Sequence, residues 1–331
     1  MASTWPTEVQ LLRDLVAVPS VSGAEEAAAR LVEDTARGWG LSVHRDDASV
    51  TISLQAASPG PTLALVSHLD VVPAGEGWTR DPFSPTVEGE RLYGRGSGDA
   101  KASVAAMTLA ARDLAQRGGP ARGRLVVILG YGEETKLTSM GRALASAGRV
   151  DAAVVGEPTN LDFAIAQRGL MMVDLVARGE QHHAAHPAED GAANNSILHL
   201  ARELGKLDGL FQERRHPVLG FATATPTMLE GGISRNVTPP VARAVLDVRS
   251  TPSWTHAELA AELRRALSLE VVVTSDRLVP CETPPGSLLL DLASGLRPSA
   301  RRFGSPTCSD WVFLRECDAI KCCILKRRRS Q

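Results

Sequence analysis

Val9, Leu12, Leu15 and Val16 recur at three- and four-residue intervals, which predicts a helix over residues 7–18, stopped by Pro19. Ser22 followed by Glu25 is a capping-box signal. It predicts a second, alanine-rich helix that Gly38 and Gly40 end. Residues 42–45 and 50–54 read as strands. The period then changes. Residues 63–68, 125–130 and 152–155 are nearly continuous apolar runs, the mark of strands buried on both faces. Helical patterns over 101–117 and 140–147 separate them, so strand and helix alternate as in a parallel α/β sheet.

The alternation stops at Gly169. Strands are predicted over 170–177, 222–229, 241–248 and 271–274, with helices over 194–207 and 255–267. This order suggests an inserted α+β module. Thr283-Pro-Pro-Gly286 reads as a return linker and 287–296 as a helix rejoining the first domain. The expected organisation is α/β: a catalytic domain of residues 1–168 and 283–331 with a mostly parallel central sheet flanked by helices, and an inserted domain of residues 169–282.

Each apolar run ends on a residue that can do chemistry. His68 and Asp70 follow the first, Glu133 and Glu134 the second, and Glu157 the third; Asp99 sits on the glycine-rich turn Gly94-Arg-Gly-Ser-Gly. Ligands of parallel sheets sit beyond the carboxyl ends of the strands. The six residues are therefore expected to converge on one crevice, where one imidazole and several carboxylates suit a divalent metal such as zinc. Each has a plainer reading alone. A strand-end histidine is commonly structural, paired acids suit a helix start, and Asp99 can cap the helix after it. Their company favours metal binding. The glycine-rich turn lacks the Gly-Lys-Ser/Thr ending of a phosphate loop, which argues against nucleotide binding.

Composition adds exclusions. The 331 residues are 44% hydrophobic and 22% charged with net charge −2, so nothing points to nucleic acid or an anionic membrane. No apolar run reaches the roughly 18 residues of a membrane span. The start Met-Ala-Ser-Thr-Trp-Pro is unlike a secretory signal, so a cytoplasmic location is expected. Four of the five cysteines fall late, at 308, 317, 322 and 323, which is not a disulfide framework spread over the fold.

Several signatures together resemble the zinc-dependent family containing acetylornithine deacetylase, succinyl-diaminopimelate desuccinylase, aminoacylase and glutamate carboxypeptidase. They are Ser67-His68-Leu-Asp70-Val-Val-Pro73, Trp78 with Asp81-Pro-Phe83, Leu92-Tyr-Gly-Arg-Gly-Ser-Gly-Asp99-Ala-Lys101, Glu133-Glu134, and Gly156-Glu157-Pro-Thr159. Gly179 with His183 and Pro187, Gly231-Gly232 with Asn236-Val237, and Asp247-Val-Arg249 complete the set. The resemblance implies a lid domain that often dimerises, and two zinc ions per subunit, with cobalt as a substitute. Asp99 would bridge the ions. His68 and Glu157 would complete one site and Glu134 would serve the other. Glu133 would be the general base, and Asp70 would orient the His68 ring. His183 would stabilise the oxyanion from the lid. His182 and His186 are left as surface residues. Asn236 and Arg249 are candidate substrate contacts, with a structural role as the alternative. A cis Asp99–Ala100 peptide is also implied.

The resemblance breaks near the end. Relatives carry one more histidine there, completing the second zinc site; here no histidine follows His256. Residues 321–331 stand in place of a glycine-rich loop, that histidine and a closing helix. An altered reading frame or a truncation would explain this; a divergent natural terminus is the alternative. The expectation is one tightly held zinc rather than two, with Cys322 and Cys323 the only nearby thiolate candidates. The leading function is removal of an N-acyl group from an amino acid, acetylornithine first, in arginine or lysine biosynthesis. A dipeptidase or carboxypeptidase acting on short peptides is the second, and a catalytically impaired, ligand-binding relative the third.

Overall fold

The computed structural model describes residues 6–135, 139–185 and 195–322. His186, Pro187 and the tail from Cys323 onward lie outside them. The chain divides into two compact units. Residues 1–165, 283–303 and 309–331 form the first, and residues 166–282 and 304–308 the second.

The elements run α1 (Thr7–Ala17), α2 (Glu26–Gly38), β1 (Ser42–Arg45), β2 (Ser49–Gln55), β3 (Thr62–His68), β4 (Thr86–Glu88), β5 (Arg91–Tyr93), α3 (Lys101–Gln116), β6 (Arg124–Gly130), α4 (Ser139–Ala147), β7 (Ala152–Val155) and β8 (Phe163–Gln167). There follow β9 (Gly169–Arg178), α5 (Ser196–Leu204), β10 (Thr223–Gly231), β11 (Val241–Ser250), α6 (His256–Ala266), β12 (Glu270–Leu278), β13 (Cys281–Glu282), α7 (Leu288–Leu296), β14 (Arg302–Ser305) and β15 (Asp318–Lys321).

In the first unit the sheet order is β1-β2-β6-β3-β7-β15-β8. Its four middle strands, β6, β3, β7 and β15, are mutually parallel. Antiparallel β1 and β2 extend it on one side and β8 on the other. Every β6 residue from Leu125 to Gly130 is buried, as a strand covered on both faces requires. Helix α1 buries Leu11, Leu12, Leu15 and Val16 in the core, with Val104 and Met107 of α3. Gly156, just past β7, lets strand and helix approach closely: a Cβ there would lie 2.7 Å from Ser103 and Met107 of α3.

The second unit is an antiparallel sheet of order β10-β11-β9-β12. Burial alternates along β11, which leaves one face for α5 and α6 to cover. Leu200, Leu259 and Leu263 from the helices pack with Met171, Val173, Leu175 and Leu246 from the strands. The fold is thus α/β, a mixed sheet with a parallel centre flanked by helices, together with an α+β domain inserted in sequence.

Three local expectations need correction. Helix α2 has no side-chain cap at its start, because Ser22 bonds to Asp70 and Glu25 to the Gly132 and Gly23 N–H groups instead. The loop after Pro73 contains the hairpin β4–β5, too short for an alternating pattern to register. β12 runs to Leu278, past the expected end; register shifts after Val273 and Ser275 break its alternation.

Candidate metal centre

His68 closes β3 and is 1% exposed. Its Nδ1 lies 3.0 Å from the backbone carbonyl of Asp70 and 3.4 Å from the Asp70 carboxylate. The carbonyl is therefore the nearer acceptor. A proton held on Nδ1 leaves Nε2 as the ligating nitrogen. That Nε2 is buried without a hydrogen-bond partner, 3.4 Å from an Asp99 carboxylate oxygen and 3.7 Å from one of Glu157.

The other acids arrive from neighbouring strand ends. Asp99 lies in the turn before α3, and its peptide bond to Ala100 is cis. Glu133 and Glu134 sit in the turn after β6, and Glu157 lies two residues past β7. Among the described residues, two groups have ligand atoms within 4.8 Å of one another: His68, Glu133 and Glu157; and His68, Asp99 and Glu134. The partition differs from the one the resemblance implied, since Glu133 joins a group and His68 belongs to both. A buried, partnerless imidazole nitrogen facing carboxylates from three loops fits a divalent cation bound by nitrogen and oxygen.

The electrostatics agree. Burial, then the Glu157 charge, pushes Glu133 up to about 9. Burial and the Asp99 charge push Glu134 up to about 7. Burial is the largest single influence on His68 and opposes its charged form, yet Asp70, Asp99, Glu157 and Glu133 together hold its pKa well above 6.5. Asp70 goes the other way. Burial would raise it, but His68, the Ser22 hydroxyl and the Glu134 N–H hold it below the usual carboxylate range.

This sets a pH dependence. The metal-free folded site binds protons that the unfolded chain has released at neutral pH. Groups with raised folded pKa stabilise the fold fully below their unfolded values, and that stability is lost as pH climbs through the folded ones. For Glu133 and Glu134 the window runs from 4.5 up to about 9 and about 7 respectively. Metal-free protein is expected to show a Tm that falls steadily from about pH 5 to about pH 9. Added divalent metal, which competes with those protons, should raise Tm more at the alkaline end. Calorimetry across that range checks this, and a metal-induced rise that shrinks with pH would contradict it.

Two buried groups that the sequence reading left out complete the cluster. Asp310 is 3% exposed and, by burial and against the pull of His68, is pushed up to about 7. Lys321 ends β15 opposite Val155 and is also 3% exposed. Its charge is the largest one opposing the burial-driven rise in the Glu157 pKa. Lys321 closes an apolar strand as His68 does, and Asp310 lies in Ser309-Asp310-Trp311, a stretch that still resembles the family; those were the available signals. Cys322 belongs to neither metal group and packs on Phe163, Leu290 and Ile320.

The remaining candidates lie in the second unit. His183 Nε2 is 3.2 Å from the Asn236 side-chain nitrogen, and the two segments meet in a bridge between His183 and Val237. His183 Nδ1 accepts the Ala185 N–H at 3.2 Å. Arg249 is not with them. It lies near the far end of β11, roughly 25 Å along the strand from the Asn236 end, and makes a two-pronged ion pair with Asp247 at 2.7 and 2.9 Å. His182 bonds Glu180.

The profile of peptidase family M20/M25/M40 matches residues 64–307. Succinyl-diaminopimelate desuccinylase of Rhodospirillum centenum is 31% identical over 308 residues, covering 86% of this chain and 79% of that protein. The enzyme of the same name from Rhizorhabdus wittichii is 32% identical over 342 residues, covering 92% and 86%. Among solved structures, the aminopeptidase PepT of Bacillus cereus superposes with a TM-score of 0.78 at 20% identity, covering 96% of this chain and 90% of that one. The YXEP protein of Bacillus subtilis, a dinuclear metal-binding peptidase, gives 0.71 at 16% identity, covering 95% and 86%. These likenesses carry the fold.

Proposed function

Because the chain belongs to peptidase family M20/M25/M40, a family of metal-dependent hydrolases of amide bonds, we propose that it removes an acyl group from the nitrogen of a small amino acid. The observation that carries this is the buried, partnerless His68 Nε2 facing carboxylates from three loops. Zinc is the metal this donor set suits, with cobalt able to replace it. His68, Asp99 and Glu157 would hold one ion, and Glu134 would serve a second position beside Asp99. When bound, the ion supplies positive charge that polarises the amide carbonyl, makes a water easier to deprotonate and draws Glu133 down into its ionised form.

The chain's own residues do the rest. Glu133 takes a proton from water as the water oxygen bonds to the carbonyl carbon. It returns that proton to the nitrogen as the carbon–nitrogen bond breaks. Asp70 holds the His68 ring and the turn carrying Glu133. His183 donates to the carbonyl oxygen as negative charge develops there.

Succinyl-diaminopimelate is placed ahead of acetylornithine because curated relatives at about a third identity carry the desuccinylase name. That would put the protein in lysine rather than arginine biosynthesis. The test is metal analysis of the purified protein coupled to assays on succinyl-diaminopimelate, acetylornithine and dipeptides. Hydrolysis of none of them by metal-loaded protein would overturn the reading. No described helix is long and apolar enough to cross a membrane; cytoplasmic location is the proposed compartment, and cell fractionation tests it.

The second unit also supports a homodimer. β10 is an edge strand with Met228 56% and Leu229 64% exposed. Ile197 and Leu198 of the adjoining α5 are exposed as well. An open strand edge beside apolar side chains favours pairing with a second copy. Leu229→Asp is expected to shift the protein from dimer to monomer in sedimentation velocity, and a parent already monomeric at tens of micromolar would rule the dimer out.

A further inference from the structure

We propose that Ser22 and Glu25 are positioning residues for the Glu133–Glu134 turn, an inference that rests on the hydrolase reading of that site. Their segment lies along the loop that follows His68. The Ser20 hydroxyl donates to the Leu69 carbonyl at 2.7 Å, and the Val71 N–H donates to the Ser20 carbonyl at 2.9 Å. Val21 and Val71 form a parallel bridge. This fixes residues 20–22 against the His68–Asp70 loop by backbone pairing rather than by side-chain packing alone.

From that track two side chains reach the catalytic turn. The Ser22 hydroxyl donates to Asp70 Oδ2 at 2.7 Å. Asp70 in turn accepts the Glu133 N–H at 3.0 Å and the Glu134 N–H at 3.1 Å. Glu25 Oε1 accepts the Gly132 N–H at 3.0 Å and the Gly23 N–H at 2.9 Å. Three successive amides, those of residues 132, 133 and 134, therefore all end on two carboxylates.

The arrangement matters because of where the turn bends. Gly132 has φ of +67°, the left-handed region that favours glycine. The chain leaves β6, reverses at Gly132 and presents two adjacent acids whose side chains must point to different places. The direction of each is set by the plane of the peptide before it. Asp70 fixes two of those peptides and Glu25 fixes the one at the reversal. Glu25 is 7% exposed and belongs to neither metal group, so it acts through the backbone and not on an ion. One carboxylate thus ties the His68 ring to the acid pair, and a second ties the acid pair to the N-terminal segment.

The experiment compares Glu25→Ala, Glu25→Gln and Ser22→Ala with the parent. Three readouts are used: amide hydrogen exchange at residues 130–135 in metal-free protein, zinc affinity by chelator competition, and kcat and KM separately. Glu25→Ala is expected to speed Gly132 exchange about tenfold or more. It should lower kcat by about 10- to 100-fold, the usual cost of losing a group that orients the residues of a metal site, while KM stays within about threefold. Glu25→Gln keeps an oxygen that accepts both N–H groups and should restore exchange and kcat to within about threefold of the parent. Ser22→Ala removes one hydroxyl and should lower kcat or zinc affinity by about tenfold; it carries the test should Glu25→Ala not fold. Unchanged Gly132 exchange and unchanged kcat in Glu25→Ala would overturn the proposal, as would a Glu25→Gln protein as impaired as Glu25→Ala. A parent without turnover on any assayed substrate would overturn the hydrolase reading instead, while exchange and zinc affinity still decide this one.

Discussion

Glu133→Gln is expected to lower kcat by about 10³- to 10⁴-fold while leaving metal content at the parent level. General acid–base groups contribute on that scale, and glutamine has the shape of glutamate without a site that takes a proton at neutral pH. The residue stands where it can serve. Its N–H is held by Asp70 at 3.0 Å, and burial with the Glu157 charge makes its carboxylate an avid proton acceptor. Its membership of a metal group with His68 and Glu157 makes the metal measurement decisive. If the variant loses its metal together with its turnover, Glu133 is a ligand and the base lies elsewhere. If turnover stays near the parent's, it is neither.

The second large effect is expected at His68. One imidazole serves both groups of candidate ligands, so His68→Ala weakens them together. Changing a group that merely orients a ligand typically costs 10- to 100-fold in metal affinity. Removing the shared nitrogen should exceed about 100-fold, and activity should disappear with the metal. With no histidine after His256 to complete the second position, one tightly held ion per chain is expected. Elemental analysis after dialysis against chelator-treated buffer gives both answers. Two tightly held ions in the parent would refute the count, and a His68→Ala protein that keeps its metal would refute the site.

Much of the site was legible because its residues sit at strand ends. In a parallel α/β sheet, local pattern alone says where each strand stops, and topology places those ends along one edge. His68, Glu133, Glu134 and Glu157 could be picked out on that basis without knowledge of which strand neighbours which. The order β6-β3-β7-β15 was not legible. β15 pairs with β7 from more than 160 residues away in the chain, and Lys321 and Asp310 enter the cluster only through that long-range closure.

Ser22 and Glu25 show the limit most sharply. Read locally, a serine three residues before a glutamate closes a helix cap. In the fold both side chains bond across 48 and 107 residues, to Asp70 and to Gly132. Asn236 and Arg249 show it again: both looked like substrate contacts, and the length of β11 holds them apart. Sequence alone determined what repeats locally, namely the strand and helix periods, the strand ends and the residue types waiting there, because these depend on neighbours within a few residues. The tertiary structure decided which donor meets which acceptor. A hydroxyl or carboxylate takes the partner that burial brings within 3 Å, and buried polar groups left without one are too costly to persist.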